Sequence, residues 1–186
     1  MVSDTSPCEI LLLSPCLLPG KTSFKEGKAT VEVTPDEGET IIFFNIDDQS
    51  NPACKLRNFL WGTQRGQRMC NLMVFYAKKS EKESKSERVI CFVELKENMS
   101  DLGHATDQVI NTYNSFKSHL KLSYTPKAFI YGSAGSVPYE RQEYQNKLSK
   151  VFKKNNFEIS RRNNDLGNIL RGIPPTIGGG KRNKRK

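Results

Sequence analysis

Arg88-Val-Ile-Cys-Phe-Val-Glu94-Leu-Lys96 is the stretch whose reading decides the fold: an apolar run closing on Glu-x-Lys. Side chains alternate along a strand, so residues two apart share a face. Glu94 and Lys96 therefore emerge side by side at the end of a strand that otherwise reads as core. Charged groups are rarely buried without partners, so a carboxylate and an ammonium placed together there require an explanation. The chemical one is a metal ligand beside a cation, an arrangement suited to phosphodiester cleavage.

The segments around this strand set the architecture. Ala29–Val33 and Thr40–Ile46 read as strands separated by the turn residues Pro35-Asp-Glu-Gly38. Asp47 to Pro52 reads as a loop. Lys55 to Arg68 is ambiguous between helix and loop, with Phe59, Leu60 and Trp61 as anchors. Leu72–Ala77 is a further strand, and the polar, mixed-charge stretch from Lys78 to Glu87 joins it to Arg88–Lys96 as an antiparallel hairpin with a long loop. Ser100 or Asp101 is placed to cap a helix running to about Lys121. Leu102, Ala105, Val109, Tyr113, Phe116 and Leu120 step by three and four, which makes one face of that helix apolar. Pro126 ends this region, and Lys127–Tyr131 reads as a short strand. A Gly/Ser loop from Gly132 to Val137, a helix over Pro138 to Lys154 and a closing strand at Phe157–Ser160 complete the pattern. The expectation is an α/β fold with a mixed central β-sheet flanked by helices, in one domain over residues 1–176 followed by a flexible basic tail at 177–186.

Composition narrows the function classes. The 186 residues carry a net charge of +9, unevenly spread. Residues 1–140 hold 16 Lys/Arg against 17 Asp/Glu, and residues 141–186 hold 13 against 3. The tail residues Lys181, Arg182, Lys184, Arg185 and Lys186 would attract a phosphate backbone without reading its sequence; a solubilising tail is the plain alternative. Lys153, Lys154, Arg161 and Arg162, inside the folded part, favour DNA or RNA as a partner. A protein partner or a homo-oligomer also stays open. The five cysteines include no C-x-x-C pair, and reduced, mostly buried thiols are expected. The apolar run Ile10–Leu18 is too short for a bilayer span and lacks the basic residues of a signal peptide, so a cytoplasmic location and no membrane partner are expected.

Glu-x-Lys occurs three times: Glu26-Gly-Lys28, Glu83-Ser-Lys85 and Glu94-Leu-Lys96. The first lacks apolar context and the second lies in a charged loop. Only the third closes a strand and precedes a well-formed helix. Taken with Cys70-Asn-Leu-Met73 and the helix segment Ala105-Thr-Asp-Gln108-Val-Ile-Asn-Thr112, it resembles the PD-(D/E)xK nuclease superfamily, whose fold is restriction-endonuclease-like. The likeness is good over about residues 65–135 and loose in the first third.

The resemblance implies a Mg²⁺-dependent nuclease, with Mn²⁺ as an alternative ion, cleaving phosphodiester bonds in DNA or RNA. Glu94 and the Leu95 carbonyl would be metal ligands. Lys96 would orient the attacking water or stabilise developing charge. Gln108, one helical step beside the apolar stripe, would reach toward the strand ends, unless it is an ordinary boundary residue. Where the family places its metal-binding Asp, this chain has Asn71, which can offer a carbonyl oxygen but no charge. Metal affinity should fall, and the chain is then either an inactive form or a weak nuclease, unless another acid compensates. Glu26, Glu32, Glu37 and Glu39 are the candidates for that upstream acid. The rival reading is a catalytically silent nucleic-acid-binding or regulatory subunit of a larger assembly, of the kind found in genome defence or repair.

Other features carry less. Pro19-Gly20-Lys21-Thr22 mimics the end of a P-loop, but Pro15 stands where its first glycine is required. The Gly132–Ser136 loop could hold a phosphate at a helix N-terminus but reads more simply as a turn. His104 and His119 have no ligand-spaced partners.

Overall fold

In the computed structural model, residues 16–48, 56–62, 66–79, 87–120, 124–135 and 141–174 are described. Eight strands are defined among them: β1 (Leu17–Leu18), β2 (Ser23–Glu26), β3 (Ala29–Glu32), β4 (Glu39–Asn45), β5 (Leu72–Lys78), β6 (Glu87–Asn98), β7 (Thr125–Ala134) and β8 (Phe157–Ser160). The helices are α1 (Leu56–Trp61), α2 (Leu102–Phe116), α3 (Arg141–Val151) and α4 (Asp165–Leu170). Six strands form one sheet in the order β1-β4-β5-β6-β7-β8, and β2 and β3 pair as a separate hairpin. β4, β5 and β6 are antiparallel neighbours, whereas β6, β7 and β8 run parallel. The mixed α/β sheet expected from the sequence is the one observed. Among the described residues no helix is long and apolar enough to cross a membrane.

β6 is central and buried from Val89 to Leu95. Both of its faces are covered, which is why it reads as a continuous apolar run without polar alternation. On one face Ile90 and Phe92 pack with Met73 and Phe44 beneath Leu102, Ala105, Val109 and Phe116 of α2 and Leu148 of α3. On the other, Cys91, Val93 and Leu95 pack with Phe129 beneath Val31 of the hairpin and Leu166 and Leu170 of α4. Each fully buried side chain of this size contributes about 1.5–3 kcal/mol, so the two half-cores clamp β6 from both sides. Cys70 and Cys91 are free, buried thiols. Cys16 is disulfide-bonded, which departs from the expectation of reduced thiols throughout.

Several boundaries differ from the expectation for identifiable reasons. The α2 region opens with a 3₁₀ turn at Met99–Asp101, capped by Asn98, whose Oδ1 accepts from Ser100 N at 3.0 Å; Asp101 makes no side-chain cap. Pro126 lies inside β7, where that strand has β6 on one side only, because β8 begins to pair at Ala128. There a missing N–H is tolerated. β7 also continues to Ala134, through the expected Gly/Ser loop, because β6 pairs with it as far as Asn98. Gly132 makes room there for Met99: a Cβ would lie 2.2 Å from Met99 Sδ, so any other residue would force the Met99 side chain to shift. β1, β2 and α4 were not foreseen. α4 is held by Lys127, whose buried ammonium donates to the carbonyls of Ile169 at 2.7 Å and Leu170 at 3.2 Å. Burial pulls that ammonium below the usual lysine range.

Candidate active site

The site forms where β5 begins and β6 runs on past it. The last paired residues there are Leu72 and Val93, so Asn71 and Glu94 face each other one step beyond. The two strands remain joined through side chains. Asn71 N donates to Glu94 Oε2 at 2.9 Å, and Leu95 N donates to Asn71 Oδ1 at 2.8 Å. These bonds replace ladder bonds with side-chain ones and fix both groups.

Glu94 is completely buried. Its Oε1 lies 2.7 Å from Lys96 Nζ, close enough for an ion pair but badly directed for a hydrogen bond, and it has no other partner among the described residues. Burial pushes the Glu94 carboxyl up from 4.5 to about 7, with the Lys96 ammonium and the Asn71 N–H working against that rise. Lys96 is better satisfied on its other side, donating to Gln108 Oε1 at 2.7 Å. Gln108 in turn donates from Nε2 to Met69 O at 2.8 Å. Its amide thus spans the gap between β6 and the segment leading into β5. Thr112, one turn along α2, is buried and accepts from Cys70 N at 2.9 Å while donating to Gln108 O at 2.8 Å.

Asn71, Glu94, Lys96 and Gln108 are therefore brought into one connected network, with Leu95 N part of it. Sequence spacing suggested Glu94 and Lys96 as neighbours; the network adds that the Gln108 amide reaches toward the strands. Thr112 was missed because threonine on a helix has no distinctive pattern.

Of the four candidates for the upstream acid, Glu39 lies far from this centre along its strand. Glu39 sits at the opposite end of β4, paired with Lys78 across the sheet, and its carboxylate is engaged by Arg171 Nη2 at 2.7 Å and the Tyr76 hydroxyl at 2.9 Å. Glu26, Glu32 and Glu37 are exposed on the hairpin and the turn that follows it. Among the described residues the Asp47 charge also raises Glu94, a lesser influence than burial, the Lys96 ammonium and the Asn71 N–H. Asp47 follows Ile46, whose N–H donates to Asn71 O at 3.0 Å. Asp47 is ion-paired with Arg57, and Arg57 Nη1 also donates to Gln67 O at 2.6 Å. No sequence motif marks Asp47, because it reaches the site only through the pairing of β4 with β5.

As a metal position the donors are oxygens only, which suits a hard divalent ion. Among the described residues Glu94 Oε1 has no well-directed hydrogen-bond donor, and a metal ion there would share it with the Lys96 ammonium 2.7 Å away. Asn71 Oδ1 keeps one lone pair beyond its bond to Leu95 N. The residues fit in kind, with one carboxylate where two are usual. Among the described residues no three His, Cys, Asp or Glu side chains converge as a metal site. His104 and His119 lie on the α2 region, His119 against Phe59. The tail residues Lys181, Arg182, Lys184, Arg185 and Lys186 lie outside the described residues. No family model, curated protein or solved structure matches the chain.

Proposed function

We propose that this chain is a nuclease domain of the PD-(D/E)xK kind, acting on phosphodiester bonds in DNA or RNA through a metal position that Asn71 weakens. The observation that supports this is the convergence of Asn71, Glu94, Lys96 and Gln108 where β5 and β6 part. Glu94, the Leu95 carbonyl and Asn71 would hold Mg²⁺ or Mn²⁺. A divalent ion bound there supplies Lewis acidity toward a phosphate oxygen and a more acidic water.

The remaining chemistry belongs to the protein. Lys96, partly exposed beside the buried carboxylate, presents a cation to an incoming phosphate and can donate to its developing charge. Gln108 shares that ammonium with Glu94, accepting a hydrogen bond from it at 2.7 Å. Glu94, with its carboxyl raised to about 7, changes charge near neutrality unless a cation holds it ionised. Asn71 favours a second reading, a catalytically silent module that binds nucleic acid, since it leaves one carboxylate fewer than metal catalysis ordinarily uses.

Restoring the carboxylate separates the two. Asn71→Asp should give Mg²⁺-dependent cleavage of an oligonucleotide panel, and Lys96→Ala in that background should abolish it, a loss of about 100-fold or more. If Asn71→Asp binds nucleic acid yet stays inert on single- and double-stranded DNA and RNA, the enzymatic reading falls and the binding module stands.

A further inference from the structure

Next to this centre lies an open depression of about 380 Å³ lined by Gly66, Gln67, Arg68, Asp107 and Asn111. We infer that it is a phosphate subsite for a nucleic-acid strand, with Arg68 as its cation and Asp107 holding that cation in reserve. The inference rests on the nuclease-type reading for its choice of ligand.

Continuity is the first argument. The segment 66–68 leads directly into Met69 and Asn71, and Asp107 and Asn111 flank Gln108 on α2. The same two stretches of chain therefore build both the depression and the Glu94–Lys96 centre. A strand lying across that centre carries further phosphates along its length, and each gains from a cation at the neighbouring position.

Preorganisation is the second. The 66–68 backbone is pinned from two directions: Asn111 Nδ2 donates to Arg68 O at 2.7 Å, and Arg57 Nη1 donates to Gln67 O at 2.6 Å. Gly66 has φ +77 with open space where a Cβ would be, so its backbone is accessible to a ligand. The volume falls in the range of small-ligand clefts and suits a nucleotide unit.

The state of Arg68 is the third. Its guanidinium is 3.0 Å from Asp107, but the side chains stay 46% and 52% exposed. An exposed pair of this kind is worth little, so a phosphate oxygen can displace the carboxylate and take both guanidinium N–H groups. Asp107 then acts as a competitor for the arginine.

Binding is measured by fluorescence anisotropy with labelled single-stranded and duplex oligonucleotides in EDTA, over a salt series, on the full chain. Arg68→Ala should weaken binding about 5- to 10-fold and lower the salt slope by about one. Asp107→Asn should tighten it about 2- to 3-fold, and that gain should vanish in the Arg68→Ala background. Thermal midpoints of all variants should match the parent. The inference is overturned if the parent retains no strand at low salt, if Arg68→Ala binds as the parent does, or if Asp107→Asn tightens equally without Arg68. A mononucleotide binding as tightly as a strand would overturn the strand as ligand. Cleavage by Asn71→Asp is scored separately, so a failed subsite leaves the nuclease reading standing, and a failed nuclease leaves the subsite measurable.

Discussion

Replacing Asn71 by Asp places a second carboxylate directly across from Glu94, and the consequence for stability changes sign with metal. The Leu95 N–H bond to the side-chain oxygen at position 71 survives the substitution, so the local backbone has no reason to move. Facing residues on neighbouring strands lie about 5 Å apart. At an effective dielectric of about 20, two charges at that distance repel by about 3 kcal/mol. The Lys96 ammonium, 2.7 Å from Glu94 Oε1, offsets part of this, leaving a net cost of about 1–2 kcal/mol in EDTA at about pH 8. The pH window follows from Glu94, whose carboxyl is raised from 4.5 to about 7. A raised carboxyl is protonated more readily in the folded than in the unfolded chain, so its burial cost is absent below about pH 4.5 and complete above about 7. The repulsion between the introduced carboxylate and Glu94 should therefore fade between about pH 8 and about pH 5. Excess Mg²⁺ should reverse the order: a site held at about 100 times its Kd stabilises by about 2.7 kcal/mol. Urea unfolding followed by circular dichroism, at both pH values with EDTA or Mg²⁺, reads all four conditions. Equal stability of variant and parent at the higher pH in EDTA, together with the same Mg²⁺ response, would refute a shared metal position between the two strands.

Two structural predictions test the frame that carries the site. Glu39 is held down to about 2, first by its hydrogen bond from Arg171, so this contact stabilises the fold above about pH 4.5 and is lost as pH falls toward 2. Arg171→Met should cost about 3 kcal/mol at about pH 7 and about 1 kcal/mol at about pH 3 in urea unfolding, whereas a penalty independent of pH would contradict the assignment. Gly132→Ala drives a methyl into Met99 and should destabilise by about 1–3 kcal/mol, with a smaller penalty in a Met99→Ala background. An additive double-mutant cycle would show that the 3₁₀ turn does not press on β7 there.

Much of the architecture was legible because it rests on local period. Val89, Ile90, Cys91, Phe92 and Val93 form an unbroken apolar run because a central strand is buried on both faces, and the α2 stripe repeats every three or four residues because one helix face meets the sheet. Both signals survive in a bare sequence. β1 has two residues and gains its identity from pairing with Phe43 and Phe44, and α4 is a six-residue helix tied down by Lys127 from another strand. Neither carries a period of its own.

The same division runs through the site. That Glu94 and Lys96 share a face follows from strand alternation in the sequence alone, whereas the place of Gln108 beside the helix stripe left its approach to them open. The engagement of Glu39 by Arg171, Thr112 under the Cys70 N–H, the Gln108 bonds to Lys96 and Met69, and the bonds joining Asn71 to Glu94 and Leu95 were decided only by the tertiary structure. The reason is the register of three strands: β4 against β5 sends Glu39 to the far end of the sheet, and β5 beginning at Leu72, one step short of the position facing Glu94, leaves backbone groups there that side chains satisfy. Register depends on contacts far apart in the chain, so no local pattern around Asp47 or Glu39 could have distinguished them.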